Sequence, residues 1–81
     1  MNESIKRRSL YILDSLTTSA DETEYAADEL VQMLIRGDDN RQLAPQVRQD
    51  VEKIREAVDT IKNCVTNISF YVNRKQETHR L

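Results

Sequence analysis

The sequence predicts an all-α protein, a helical hairpin of two arms, and three observations carry that prediction. Val51, Ile54, Val58, Ile61, Val65, Ile68 and Val72 recur at alternating steps of three and four, with valine at each a position and isoleucine at each d position of successive heptads. The chain of 81 residues holds one glycine and one proline, and both fall in the window from Gly37 to Pro45. The segments flanking that window are nearly equal, about 34 residues each, as two antiparallel arms require. Residues 1–81 therefore read as a single α-helical domain.

In the first arm, Ile5, Ser9, Ile12, Leu16, Ser19, Thr23, Ala26, Leu30 and Met33 follow a 4-3 rhythm, flanked by Leu10, Leu13, Ala27 and Leu34. Thr17, Thr18 and Ser19 are poor helix formers. Ser19-Ala20-Asp21-Glu22 also has the form of a capping box. These residues predict a break near 17–21, giving a short-short-long three-helix arrangement that assembles into a bundle. Gly37 stands where a left-handed cap belongs, with Asp38, Asp39 and Asn40 as turn residues. Pro45 suits the first turn of the next helix, where its missing N–H costs nothing. The second arm reads as one helix of about 50 Å. Its g positions Ala57, Cys64 and Tyr71 widen the apolar stripe toward bundle dimensions. A frayed basic tail is expected from about residue 77.

A chain this short buries only about 60–65% of its unfolded surface and needs further support. The lone Cys64 allows no internal disulfide, fits a reducing cytoplasmic setting and lies where it packs against the seam. No Cys/His cluster has zinc spacing. Oligomerisation is the stabiliser left. Two short helices cover only half of the long one, and a continuous first arm still buries only one side of its stripe. A homodimer or higher oligomer is expected, held by Val51, Ile54, Val58, Ile61, Val65, Ile68 and Val72.

Charge divides by arm. Residues 9–35 carry Asp14, Asp21, Glu22, Glu24, Asp28 and Glu29 with no lysine or arginine, whereas residues 41–81 carry eight basic and five acidic groups. Arg41, Arg48, Arg55 and Lys62 form a basic rail at e positions. The rail complements the acidic arm within the hairpin, at a few tenths of a kcal/mol per pair, or docks an acidic partner. Phe70 falls at an f position, opposite the seam, where an aromatic suggests a second contact. Arg48, Arg55, Lys62, Phe70 and Tyr71 are the partner-binding candidates. Lys6, Arg7, Arg8, Arg74 and Lys75 are the candidates for a nucleic-acid or nucleotide site. A simple hairpin brings those two clusters to one end and a three-helix bundle does not. The overall charge of −2 argues against broad nucleic-acid binding.

Few residues can do chemistry. The only histidine is His79, and the only glycine is spent at the turn, so neither a histidine-dependent nucleophile nor a phosphate loop is expected. No apolar run approaches the ~20 residues of a membrane span. The sequence thus predicts a cytoplasmic, non-enzymatic protein–protein interaction module without cofactor or metal, a regulator, adaptor or inhibitor that pairs with itself and with another protein. A nucleic-acid regulator is the first alternative, and a secretion-type helical chaperone, ordered by its client, the second.

Overall fold

Asn2 opens the first helix. In the computed structural model, which describes residues 1–75, its side-chain oxygen accepts from the backbone N–H of Ser4 at 2.6 Å and of Ile5 at 3.4 Å. Two of the orphan donors of the first turn are thereby satisfied. Helix α1 then runs without interruption over Glu3–Gly37, 35 residues, with acidic Glu3 in its first turn and basic Arg36 in its last, each sign matched to the helix dipole. Helix α2 spans Pro45–Lys75, 31 residues, and begins at the proline as expected. The two helices pack against each other, so the molecule is an all-helical hairpin. The expected tail, with His79 and Arg80, lies outside the described residues.

The break near residues 17–21 is absent, and the three-helix arrangement with it. Thr17 Oγ1 donates to the Leu13 carbonyl at 3.3 Å and Thr23 Oγ1 to the Ser19 carbonyl at 2.9 Å. Hydroxyls that compete with the helix in isolation are here bonded back onto it. Packing outweighs propensity at this point. Leu13, Ala20 and Ala27 are all buried, one heptad apart, and only an unbroken helix keeps them in one row. A capping box at Ser19 would turn Ala20 out of that row.

The connection also differs from expectation at Gly37. No glycine has positive φ. Gly37 is the last residue of α1, and the left-handed residue is Arg41, at φ 56°. Asp38 organises the turn instead. Its backbone is extended, its N–H donates to the Ile35 carbonyl at 3.3 Å, and its Oδ2 accepts from the backbone N–H of Asn40 and of Gln42. This Asx-type turn reverses the chain without using the freedom of glycine. Arg41 thereby sits in the loop, and the basic rail on α2 starts at Arg48.

The seam is narrow. Val51, Val58, Val65 and Val72 of α2 face Leu13, Ala20 and Ala27 of α1, and these seven make up the buried core among the described residues. Both rows repeat every seven residues. Counting Leu13 and Val58 as a positions in their own helices, α1 has a positions Lys6, Leu13, Ala20, Ala27 and Leu34. The small Ala20 and Ala27 let the backbones approach closely beside the valines. Leu13 packs with Val65 and Val72, and Met1 and Leu10 close that end. The Cα trace measures 17 Å by 10 Å across its short axes, one layer of two helices.

Two substitutions test these points. Asp21→Pro should cost about 3 kcal/mol or more in urea unfolding if residue 21 is interior to a helix, and much less if it lies in a first turn. Asp21→Ala, the control for its ion pair, should cost far less. At Gly37 a Cβ meets nothing within 4 Å, so Gly37→Ala should stabilise by about 0.4–1 kcal/mol, where a left-handed cap would make it destabilising.

Candidate functional site

The hairpin has two unlike faces. On one, Arg55 Nη2 meets Asp28 Oδ1 at 2.6 Å and Lys62 Nζ meets Asp21, with Glu24 at 3.6 Å. Arg55 also reaches Glu52 at 3.5 Å. Arg55 and Lys62 are e positions of α2, while Asp21 and Asp28 are b positions of α1. The e and b flank of each a row therefore lies on the same side. The acidic and basic arms complement each other here as their composition suggests. The hydrogen bond to Asp21, with Glu24 nearby, holds the Lys62 ammonium above its ordinary 10.5. A raised lysine pKa stabilises at every pH below the unfolded value, and the contribution fades only as pH climbs through the raised one.

The d and g positions lie on the other flank of each a row and so share the opposite face. This face is apolar and open. From α1 it carries Ile5, Ile12, Leu16, Leu30 and Met33, 46–62% exposed. From α2 it carries Ile54, Ile61 and Ile68, 38–47% exposed, with Tyr71. The remaining d and g positions are Ser9, Ser19, Thr23, Ala26, Ala57 and Cys64, so no charged side chain occurs on this face from Ile5 to Met33 or from Ile54 to Tyr71. The ion pairs set an antiparallel register that brings Leu16 level with Ile68, Ala26 with Ala57 and Leu30 with Ile54.

The stripes legible in the sequence are thereby split. Of the seven Val/Ile positions, the four valines are spent inside the hairpin and the three isoleucines are left on the open face. The 4-3 rhythm of the first arm is not the hairpin seam; its large members lie on the open face, and the flanking Leu13 and Ala27 are buried instead. Cys64, expected to pack, is exposed on the same face. The signal for this surface was present in the sequence, as the absence of charge from d and g positions of both arms.

The other candidates fall elsewhere. Arg55 and Lys62 are engaged within the chain. Arg48 lines a hollow under the loop with Val31, Ile35, Leu43 and Val51. Phe70 is 63% exposed at its f position, and the Lys75 ammonium lies 5.6 Å from the Tyr71 ring centroid. Lys6, Arg7, Arg8, Arg74 and Lys75 come to one end, as a two-helix hairpin requires. Among the described residues no helix is long and apolar enough to cross a membrane, and no cluster of three or more His, Cys, Asp or Glu is placed to hold a metal.

The register is open to a charge-swap test. Arg55→Asp faces Asp28 with a like charge and should lower stability by roughly 0.5–1 kcal/mol at low salt. The double change Asp28→Arg with Arg55→Asp should restore most of it in thermal melts, and the difference should shrink in 1 M salt.

Comparison of the chain with protein families, curated proteins and solved structures returned no match.

Proposed function

We propose that the chain is a non-enzymatic protein–protein interaction module that works as a self-associating helical bundle, two hairpins packing their open d/g faces together. The observation that carries this reading is the charge-free apolar face described above. In a single-layer hairpin no further element of the described chain lies over that face, and an exposed apolar stripe of this length favours association. The face is about 45 Å long and two helices wide. Each copy would bury on the order of 800 Å², the amount a stable interface needs per partner.

A second copy fits better than an arbitrary partner because the face repeats in heptads on both helices, the grammar of a four-helix bundle. Charge favours one orientation. The end bearing Lys6, Arg7, Arg8, Arg74 and Lys75 is basic, and the stretch from Asp21 to Glu29 is acidic. Copies aligned with loops together would set like charges side by side. Copies with loops at opposite ends would not. The role served by such a bundle is that of a regulator, adaptor or inhibitor, acting through the outer surfaces that dimerisation leaves free.

Solution mass by light scattering tests the reading. The wild-type chain should run as a multiple of 9.5 kDa, with a melting temperature that rises with protein concentration. Ile61→Asp and Ile68→Asp place charge on the face and should dissociate the assembly, with loss of helix where the lone hairpin is marginal. A fully helical species of one chain mass, melting at a concentration-independent temperature, would overturn the proposal.

A further inference from the structure

The end of the hairpin where the chain starts carries a second surface, which meets the apolar face at Ile12. Two shallow grooves lie there. One is lined by Arg7, Arg8, Tyr11 and Ile12 of α1, the other by Asn67, Phe70 and Arg74 of α2. Each combines arginine with an aromatic ring. Tyr11 is 73% and Phe70 63% exposed. Both rings occupy f positions, pointing away from the seam and from the d/g face, so self-association leaves them accessible. The antiparallel register brings Tyr11 and Phe70 to within about one helical turn of the same height. They stand on opposite edges of the hairpin.

Large aromatics at f positions do nothing for the fold. They bury little surface and, on this end, have arginines beside them, with Asp14 one turn along from Tyr11. From residues 1–17 and 67–75 the basic groups are Lys6, Arg7, Arg8, Arg74 and Lys75, against the carboxylates of Glu3 and Asp14. The strongly acidic stretch begins further along α1. An end that is locally cationic on a chain of net charge −2 has the polarity that holds an anion at one place rather than along the whole body.

We infer that this end binds single-stranded nucleic acid, with phosphates held by Arg7, Arg8 and Arg74 and bases stacked on Tyr11 and Phe70. Arginine beside an exposed ring is the pairing that tracks a backbone and offers a flat face to a base of any sequence. The placement on two opposite edges selects among polyanions. A planar bilayer touches one edge of a pair of helices at a time. A duplex is too stiff, with a persistence length of about 150 base pairs, to turn around an end only about 20 Å wide. A flexible single strand of several nucleotides can pass around the end and reach both grooves.

The test is fluorescence anisotropy of labelled oligo-dT of about twelve nucleotides, run beside a duplex of equal length and vesicles of mixed phosphatidylserine and phosphatidylcholine. The oligonucleotide should bind saturably at low salt. Its log affinity should fall against log salt with a slope of about −2 to −3.5, for three to five phosphate contacts on a single strand. Combined Arg7→Ala, Arg8→Ala and Arg74→Ala should abolish binding. Tyr11→Ala and Phe70→Ala should each weaken it by about five- to a hundredfold, and Arg48→Ala, at the loop end, should leave it unchanged. All five positions point outward, and circular dichroism checks that each variant keeps its helix. No saturable rise at up to roughly 100 μM protein in low salt would overturn the inference. Binding indifferent to Tyr11 and Phe70 would reduce it to unspecific charge attraction and overturn it equally, as would tighter binding to the duplex. Capture by vesicles through the two rings, with the oligonucleotide unaffected by them, would assign the end to a membrane surface instead. The five substituted positions lie off the d/g face, and Ile12 alone belongs to both surfaces, so the arginine and ring variants read this end separately from the self-association that Ile61→Asp and Ile68→Asp test.

Discussion

Everything in this structure depends on one row of contacts, valines of α2 against Leu13, Ala20 and Ala27 of α1. Apolar burial is the dominant favourable term in folding, and here, among the described residues, these seven side chains supply the buried part. Because both rows repeat every seven residues, they lock the helices along their length as well as across it. A slip of one residue would turn the valines out and bring polar side chains in. The unbroken course of α1 follows from the same row. A helix that broke at Ser19 would lose Ala20 or Ala27 from it, and the small preference of Thr17, Thr18 and Ser19 against helix is too weak to force that loss.

The seam then sorts the remaining positions. Once the a positions point inward, e and b positions come together on one side and d and g positions on the other. The e and b side is closed by Arg55 and Lys62 against Asp28, Asp21 and Glu24, pairs exposed enough to guide register more than to hold the fold. Among the described residues nothing lies across the d and g side. A hairpin is a single layer, and a layer with one polar and one apolar face is half of a two-layer architecture. This asymmetry, more than any single residue, makes association the central feature of the proposed function.

The two ends of the hairpin also differ in kind. The loop end is built for a tight reversal, with the Asp38 side chain collecting backbone N–H groups and Arg41 accepting a left-handed conformation. The opposite end gathers the basic residues of both helices. Antiparallel packing alone is responsible for that gathering, since the clusters stand some seventy residues apart in the chain. Around that end the exposed rings of Tyr11 and Phe70 are the features that packing does not explain.

Much of this was legible in the residues themselves. The 3-4 spacing from Val51 to Val72 required a helix, the Gly37–Pro45 window required the reversal, and the acidic first arm beside the basic second arm anticipated the ion pairs. These are local or one-dimensional properties, and periodicity, turn chemistry and charge read them directly. Three matters belonged to the tertiary structure. Whether α1 breaks at residues 17–21 depended on a contact with residues forty or more positions away. Which residue of the turn goes left-handed depended on how Asp38 could reach Asn40 and Gln42. Which of two overlapping apolar stripes enters the seam depended on the pairing of both helices at once. The sequence by itself determined that this chain is helical and amphipathic on more than one side. Only the packing decided that the valines close the hairpin and the isoleucines remain outside it, because a two-helix seam has room for one row from each helix and the second row must face elsewhere.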